Sequence, residues 1–420
     1  MHLGPQSLTL FALLHWSMGD NGNGYLVNVI PVTESALQLL TSIRWDYDFL
    51  ELDEDLQKPA VVHLTEADKD EFLSKISDES QFKFEFLDLQ GMIEEERRQN
   101  NGTLSRQGSF DLNIYHPLNE IEDFLQSKQR DHPAMVNVTT IGRTHNGQYI
   151  QMITIKLTRE DIKMKPAIWI DCGIHAREHI SPATCLGLID RLINQGEKGP
   201  LEHFDFFILP VFNPDGYAYT WSNDRMWRKN RRPITRSCTG VDLNRNFVPT
   251  DFGGPSTSSN PCSNIYKGTK AFSEPETRAV AVANLQIMKK YGRDMFPLHM
   301  SFHSYGQMIL RPYSHGVMPP PNLRELDAIG NVMLKSVARS RYTYRYGTSA
   351  AILYAVGGAS ADWAYHQGVP YPFTIELPPQ TSGGFIYPAS NIKRTYNHIW
   401  KMVNAMTRHL RRNGYKVQKQ

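Results

Sequence analysis

The stretch AIWIDCGIHAREHIS, residues 167–181, joins an apolar run to a polar tip. Its first five residues, AIWID, are typical of a buried strand. Directly after them, His175 and Glu178 lie three residues apart, close enough for both side chains to bind one metal ion, and Arg177 lies between them. A histidine that follows a strand is more often a hydrogen-bonded structural residue. The rest of the chain must therefore decide between a metal site and a solvated turn.

Strand and helix patterns alternate on both sides of this stretch. Further strands are predicted at 152–156, 204–209, 298–302 and 371–377, and helices at 182–193, 274–289, 322–338 and 389–410. This alternation predicts an α/β unit of about 300 residues, with a mostly parallel or mixed central sheet flanked by helices.

Residues 25–92 predict a separate, small α+β unit of four strands and two helices, the helices at 33–43 and 66–77. A segment of this length can fold alone, although its stability would be marginal. The polar, charged residues 93–108 then predict a helix that frays into an exposed linker. Arg98 and Arg106 would make this linker a target for a trypsin-like protease. The alternative is an ordinary linker that is never cut.

The N-terminus and the cysteines bear on the cellular compartment. Residues 1–24 contain a short apolar core at 8–14, which resembles a secretory signal, but no basic residue precedes it, so an alternative N-terminus stays open. Four cysteines and sequons at Asn101 and Asn137 fit an oxidising, glycosylating route. Four cysteines allow three pairings, and their spacing does not choose among them.

Charge and hydropathy exclude several classes of protein. Lys and Arg number 45 against 43 Asp and Glu, so no strong net field attracts nucleic acid or anionic lipid. The sequence contains no run of about 18 or more apolar residues, so no transmembrane helix is predicted. The basic clusters at 231–233 and 411–416 are interpreted as solvated surface, and the tail at 411–420 is expected to be disordered.

Four segments end a strand pattern with a polar tip. Besides HARE at 175–178, they contain GVDLNRNF at 240–247, LHMSFHSYGQ at 298–307 and PFTIELPP at 372–379. In open α/β sheets the functional groups gather where strands end in loops. Each segment alone is weak evidence, but together they supply two imidazoles, several carboxylates and several arginines.

That set of side chains suits a zinc hydrolase. Catalytic zinc takes three protein ligands, here His175, Glu178 and His303, and keeps a fourth position for water whose pKa falls to roughly 7. Glu376 would accept the proton of that water and pass it to the leaving amine. Asp242 could accept the second ring N–H of a ligand histidine and fix its tautomer. An arginine would stabilise the oxyanion.

Six motifs carry a resemblance to a known family: HARE, MWRKNRRP at 226–233, GVDLNRNF, HSYGQ, GGASADW at 357–363 and FTIELP at 373–378. In this order and spacing the chain resembles the zinc metallocarboxypeptidases of the pancreatic A/B type, from residue 25 to the C-terminus. The resemblance implies an activation domain at 25–92, a cleavable linker at 93–108, a catalytic domain at 109–420 and one Zn²⁺ per chain.

The resemblance also implies roles for individual residues. Arg228 matches the arginine that polarises the scissile carbonyl, and Glu376 matches the general base. The residues that would bind substrate are Asn244 and Arg245 at its terminal carboxylate, Arg177 along the cleft, and Tyr354, which closes over the last residue. The implied disulfides are Cys238–Cys262 and Cys172–Cys185.

By the same resemblance, Ala361 lies deepest in the pocket for the last side chain of the substrate. The other pocket positions are Ser314, Ser349, Leu353, Val356, Ala359 and Thr374. None of these residues is charged, which predicts a preference for hydrophobic C-terminal residues, unless a neighbour such as Arg311 leans into the pocket. His179 occupies a position where many relatives carry tryptophan, which would alter the packing behind the zinc.

These observations predict a secreted, extracellular, monomeric zymogen that acts on peptide and protein C-termini after a trypsin-like protease cuts at Arg98 or Arg106. Two alternatives compete with this prediction. One is a catalytically silent member that only binds peptides, which would be marked by loss of a ligand or of the base. The other is a B-type enzyme specific for basic residues, which Ala361 disfavours.

Overall fold

The computed structural model describes residues 23–53, 55–56, 58–78, 80–104, 110–248, 252–340, 342–379 and 384–419. The chain divides into two compact units, one up to Met92 with Ser222–Arg225, and one with Ile93–Trp221 and Met226–Gln420. Nearly all of the expected signal segment lies outside the described residues, and so does Arg106.

The first unit contains a four-stranded antiparallel sheet and two helices. Its elements are β1 (Tyr25–Pro31), α1 (Glu34–Ser42), β2 (Asp48–Glu51), β3 (Ala60–Leu64), α2 (Glu66–Lys75) and β4 (Phe82–Leu87), with strand order β2-β3-β1-β4. The Thr33 hydroxyl caps α1 by accepting a hydrogen bond from the amide of Ala36 at 3.2 Å. Val27, Val62 and Phe72 are buried in the core between sheet and helices.

The next helix, α3, spans Leu89–Leu104 and covers most of the predicted linker. Arg97 and Arg98 are exposed, and Arg98 forms an ion pair with Glu95 one turn earlier at 2.6 Å. Arg98 therefore lies within a regular helix and not in an extended segment.

The second unit contains the larger sheet. Its elements are α4 (Leu118–Asp131), β5 (Val136–Arg143), β6 (Tyr149–Ile155), β7 (Ile162–Met164), β8 (Ala167–Cys172), α5 (Ile180–Gln195), β9 (Asp205–Leu209), α6 (Pro214–Ser222), α7 (Pro275–Tyr291), β10 (Leu298–Ser304), β11 (Met308–Arg311), α8 (Leu323–Val337), β12 (Arg345–Thr348), α9 (Ser349–Ile352), α10 (Ser360–Gln367), β13 (Tyr371–Leu377), α11 (Ile392–Arg412) and β14 (Gln418–Lys419). All predicted strands and helices are present, with ends displaced by a few residues.

The eight strands of the central sheet are ordered β12-β11-β13-β10-β8-β9-β6-β5. Its middle is parallel, from β13 through β10 and β8 to β9, whereas β11 and β6 join antiparallel. Side chains alternate along β8, so Ile168 and Ile170 enter one hydrophobic core, and Ala167 and Trp169 enter the other. The predicted mixed α/β sheet, preceded by a small α+β unit, is confirmed.

Helices cover both faces of this sheet. Helices α4, α5, α8 and α11 contribute apolar side chains to the core that contains Ile168, and α7 and α10 contribute to the core that contains Trp169. The parallel strands β8, β10 and β13 all end at one edge, where His303 lies opposite Glu376 in the strand register. Side chains from distant parts of the sequence therefore meet there.

One expectation for the C-terminus is wrong. The tail at 411–420 was expected to be disordered, but α11 extends to Arg412 and Gln418 pairs with Met164 of β7. The Tyr415 ring packs edge-on against Tyr371, with ring centroids 6.0 Å apart, which anchors the segment before the strand. Among the described residues, no helix combines the length and apolar character needed to cross a bilayer.

Candidate active site

Three buried side chains converge at the edge of the sheet. His175 and Glu178 come from the loop after β8, and His303 comes from the end of β10. Nδ1 of His175 lies 2.7 Å from Oε1 of Glu178 and 3.2 Å from Nδ1 of His303. One ligand atom from each residue lies within 4.8 Å of the others. Two imidazoles and a carboxylate at these separations are a donor set that zinc favours.

The loop that carries two of these residues is anchored at both ends. Cys172, at the end of β8, forms a disulfide with Cys185 in α5, as the resemblance implied. Gly173 adopts φ +69°, and a Cβ there would lie 3.0 Å from Pro182, so the turn requires glycine. The Ser181 hydroxyl accepts a hydrogen bond from the Gly173 amide at 3.0 Å. These contacts fix the direction in which His175 and Glu178 leave the sheet.

The outer nitrogen of each histidine has a defined partner. Nε2 of His175 lies 3.2 Å from Oδ1 of Asp242, a carboxylate that can only accept. Nε2 of His303 lies 3.2 Å from the Ser301 hydroxyl, whose own proton is donated to Asp171 at 2.6 Å. Both Nε2 atoms must therefore carry the proton.

When the two imidazoles are neutral, both Nδ1 atoms therefore present lone pairs. These lone pairs face each other across 3.2 Å, with the Glu178 carboxylate beside them. Three electron-rich groups turned toward one buried point repel one another unless a proton or a cation lies between them. The residues present therefore fit a bound Zn²⁺ on their hydrogen bonding alone.

Sequence reasoning found Asp242 but missed Ser301 and Asp171. The available signal was the strand period of two, which places Ser301 and His303 on the same side of β10. Asp171 is fully buried and also accepts from the Trp169 ring nitrogen at 2.7 Å. Burial alone would raise the pKa of Asp171, but His299 and the hydrogen bonds from Ser301 and Trp169 hold that pKa below its usual range.

Asp242 organises the cationic side of the site. Its Oδ2 accepts from Nη2 of Arg228 at 2.8 Å and from Nε at 3.2 Å, and Nη1 of Arg245 lies 3.7 Å away. Its Oδ1 caps the turn Leu243–Arg245 by accepting from the Asn244 amide at 2.9 Å. Burial would raise the pKa of Asp242, but Arg228, Arg245 and His175 hold the pKa well below its usual range.

Glu376 lies on β13 beside this cluster and is buried. Burial and the nearby Glu178 raise the pKa of Glu376 to about 8, and His303 and Arg228 oppose that rise. A cation bound between the histidines would lower this pKa, because positive charge favours the carboxylate.

The predicted substrate-binding residues line the same region. Arg245 is buried, and its Nε donates to the Ser256 carbonyl at 2.8 Å. The side-chain oxygen of Asn244 accepts from the Ser360 amide at 2.9 Å. The Arg177 guanidinium lies over the Phe385 ring, 4.2 Å from its centroid, and Tyr354 is half-buried.

Ala361 is buried at the start of α10, and the other predicted pocket positions are buried or half-buried. The adjacent Asp362 is acidic, but its carboxylate accepts from the Ser314 amide at 2.8 and 2.9 Å and lies 2.8 Å from Nδ1 of His315. Arg311 forms an ion pair with Asp327 of α8 at 3.0 Å. Both charged neighbours are thus engaged by other groups.

His179 and the second disulfide complete the surroundings. His179 is buried among aromatic rings, stacked on Trp221 with centroids 5.4 Å apart, and its Nε2 lies 2.8 Å from the Thr220 hydroxyl. Cys238 is bonded to Cys262, which joins the segment after Arg228 to the segment before Tyr266.

The fold and the site together resemble known enzymes. The sequence profile of the zinc carboxypeptidase family matches residues 121–402. The chain is 37% identical to carboxypeptidase A4 of Mus musculus over 338 residues, covering 78% of each chain, and 39% identical to carboxypeptidase B of Rattus norvegicus over 311 residues, covering 72% of each.

Among solved structures, that of thrombin activatable fibrinolysis inhibitor is similar, with a TM-score of 0.82 and 31% identity, covering 93% of this chain and 99% of the other. Relatives named carboxypeptidase A and relatives named carboxypeptidase B have similar sequence identity to this chain. Similarity alone therefore does not decide which C-terminal residue is preferred.

Proposed function

The chain belongs to the zinc carboxypeptidase family and is a metallocarboxypeptidase, and from this premise we propose that it is a secreted zymogen that releases single hydrophobic residues from peptide and protein C-termini. The observation that carries the proposal is the convergence of His175, Glu178 and His303 within 4.8 Å, beside Glu376 and Arg228. A silent, peptide-binding member would be marked by loss of one of these side chains, and all are present.

In this proposal His175, Glu178 and His303 hold one Zn²⁺ per chain. When bound, the ion supplies positive charge that lowers the pKa of a coordinated water toward roughly 7. Asp242 and Ser301 keep the protons on the two Nε2 atoms, so both Nδ1 lone pairs stay directed at the ion.

Glu376 acts as the general base. Its carboxylate accepts the proton of the attacking water and then gives that proton to the nitrogen of the leaving amino acid. Its buried position supports this role, because a carboxylate shielded from bulk water has a pKa closer to neutral, which suits both halves of the transfer.

Arg228 stabilises the negative charge that develops on the scissile carbonyl oxygen. Two contacts to Asp242 hold its guanidinium in place, so little reorganisation is needed when the charge appears. Arg245 and Asn244 bind the terminal carboxylate of the substrate, for which the planar guanidinium is suited. Arg177 contacts the substrate farther along the cleft, and Tyr354 closes over its last residue.

The pocket around Ala361 supports the preference for hydrophobic residues. Its positions are uncharged, and two charged neighbours, Asp362 and Arg311, are engaged by His315 and Asp327. A lysine or arginine of the substrate would therefore enter the pocket without a carboxylate partner, at a cost in desolvation.

Residues 25–92 act as an activation domain, and the enzyme is released when a trypsin-like protease cuts the segment 93–108 at Arg98 or Arg106. Arg98 is exposed but lies within α3, so a cut there requires local unfolding of that helix. The two disulfides support a secreted, extracellular product, since such bonds persist in oxidising compartments. We propose that it acts as a monomer.

The test is an assay of the full chain before and after limited trypsin treatment, on blocked dipeptides ending in Phe, Leu, Arg and Glu. Activity should appear with cleavage, be highest on the Phe and Leu substrates, and disappear with a chelator. N-terminal sequencing of the product would distinguish Arg98 from Arg106. Zinc binding without turnover would overturn the enzymatic proposal, and fastest release of Arg would overturn the specificity.

A further inference from the structure

Helix α11, Ile392–Arg412, has an unusual charge pattern. It contains six Lys or Arg residues and no Asp or Glu over 21 residues. Two of the six, Lys393 and Arg394, lie in its first turn, where the positive end of the helix dipole disfavours cations. The placement of these two charges therefore does not serve the stability of the helix itself, unlike that of Arg411 and Arg412 in its last turn.

The basic residues form one exposed face, which we call the basic face of α11. Its members are Lys393, Arg394, Lys401, Arg408, Arg411 and Arg412, and all six are exposed. Arg394, Lys401 and Arg408 follow one another at seven-residue intervals, which is nearly two helical turns, or about 10 Å along the axis. The apolar residues of the helix, among them Ile399 and Met402, are buried in the core shared with α5 and α8.

Few neighbours oppose the positive charge of this face; the exception is at Arg411, which lies against His203, a side chain 3.3 Å from the Glu202 carboxylate. In the part of the chain that the structure describes, none of the six forms an ion pair with a carboxylate. A shallow pocket of about 370 Å³ lies at the N-terminal end of the face, lined by Ser390, Lys393, Arg394, Asn397, His398 and Lys401. Every charged side chain around this pocket is basic. Burial and the nearby Lys401 and Arg394 lower the pKa of His398 to about 4.

We propose that the basic face of α11 binds an extended, sulfated polysaccharide. A row of cations spaced over the whole helix fits a chain with repeated anionic groups, whereas a single small anion would use only the pocket. This surface contributes no residue to the candidate active site, so the bound enzyme keeps its turnover. The polysaccharide would hold the protein at an extracellular surface, a consequence that rests on the proposed secretion.

Two other polyanions fit the surface less well. A helix that binds a membrane inserts its apolar face, but here the apolar face of α11 is packed in the protein core. Single-stranded nucleic acid is held by bases that stack on exposed aromatic rings. The aromatic residues of α11, Tyr396 and Trp400, are buried. The basic face offers only ionic and polar contacts, as a sulfated polysaccharide requires.

The test uses the full chain on immobilised heparin as the probe, with a sulfonate cation exchanger in parallel. The wild type should be retained at roughly physiological salt, about 0.15 M, and should elute from heparin at higher salt than from the exchanger. The variant Arg394→Gln/Lys401→Gln should bind heparin about tenfold more weakly, by the counterion-release relation established for nucleic acids. Its activity after trypsin treatment should equal that of the wild type.

Two further variants decide the assignment. Arg408→Gln/Arg412→Gln, at the other end of the face, should weaken binding to a similar extent. Lys289→Gln/Lys290→Gln removes the same charge from α7, which packs on the opposite side of the sheet, and should leave binding unchanged. Equal loss in all three variants, or elution from heparin no later than from the exchanger, would overturn the proposal. Tighter binding to phosphatidylserine vesicles or single-stranded DNA than to heparin would also overturn it.

Discussion

Two buried carboxylates lie at the same edge of the central sheet and behave in opposite ways. Burial would raise the pKa of Glu178, but the histidines His175 and His303 hold that pKa below its usual range. The pKa of Glu376 on β13 is instead raised by burial and by Glu178, against the opposing charges of His303 and Arg228. Residue type and burial are the same in both places.

The difference between the two lies in their direct contacts. Oε1 of Glu178 lies 2.7 Å from a ring nitrogen, and its Oε2 accepts from the Ser304 amide at 3.1 Å. His303 and Arg228 affect the pKa of Glu376 only through longer-range electrostatic interaction, without a hydrogen bond to its carboxylate. Contacts of this kind separate a carboxylate that stays ionised as a ligand from one that can take up and release a proton.

The largest expected effect comes from removing the ligand charge. Glu178→Gln leaves two neutral imidazoles and an amide, which bind zinc poorly, so zinc per chain should fall from one to near zero, and activity should fall to background. Metal analysis after dialysis checks this expectation. The exposed Glu325→Gln on α8 is the matched control and should retain both zinc and activity. A Glu178→Gln protein that still held one zinc per chain would show that Glu178 is not needed as a ligand, and its role would then not differ from that of Glu376 in the way proposed.

Replacing Glu376 by glutamine should separate zinc binding from catalysis. Glu376→Gln keeps the shape of the side chain but cannot accept a proton, so kcat should fall about 10³- to 10⁴-fold. Zinc content should stay at one per chain, because the proposed ligands are His175, Glu178 and His303. Steady-state kinetics and metal analysis on one preparation provide the measurement. Loss of zinc would instead identify Glu376 as part of the metal site.

A smaller loss of activity is expected from substituting Arg228, the arginine whose charge opposes the pKa rise of Glu376. Arg228→Lys keeps the charge but cannot reproduce both contacts to Asp242, at 2.8 and 3.2 Å, so kcat should fall about 10²- to 10³-fold. The exposed Arg236→Lys, a few residues later, should behave as the wild type. A change confined to KM would show that Arg228 binds the ground state and not the developing oxyanion.

The smallest effect is expected from substituting Ser301, whose hydroxyl lies 3.2 Å from Nε2 of His303. Ser301→Ala removes the acceptor that keeps the proton on Nε2 of His303, so zinc affinity should fall about 10- to 100-fold. With zinc in excess, turnover should recover. Ser304→Ala is a close control, since the hydroxyl of this buried residue has no hydrogen-bond partner among the described residues. Competition with a zinc chelator measures both affinities, and equal values would exclude the tautomer argument.

Much of this arrangement could be predicted from the sequence, because it depends on local patterns. The strand before His175 and the strand that carries Glu376 are short runs of apolar residues, which favour buried strands. Parallel strands then bring their carboxyl ends together, whatever the distance along the chain. The assignment of Arg228, Asn244 and Tyr354, in contrast, depended on family motifs and not on periodicity.

Other features depend on contacts between distant segments, which local patterns do not encode. The path from His303 through Ser301 to Asp171 joins neighbouring strands, and a serine in a strand gives no sign of such a role. The pairing of Gln418 with Met164 joins segments about 250 residues apart, and the polar tail looked like solvated chain. Of the basic face of α11, only Arg411 and Arg412 belonged to a cluster that the sequence analysis interpreted as solvated surface, because the other basic residues are separated in the sequence and form one face only in the folded helix.

The bond between Cys172 and Cys185 has a consequence for how the protein matures. It closes a loop around His175 and Glu178, so an oxidised chain presents both groups with little freedom left to lose when the ion arrives. A chain made in a reducing compartment would have to order that loop at the moment of metal capture. Recombinant protein from such a host should therefore load incompletely until its thiols have been oxidised, and zinc supplied before that step would be poorly retained.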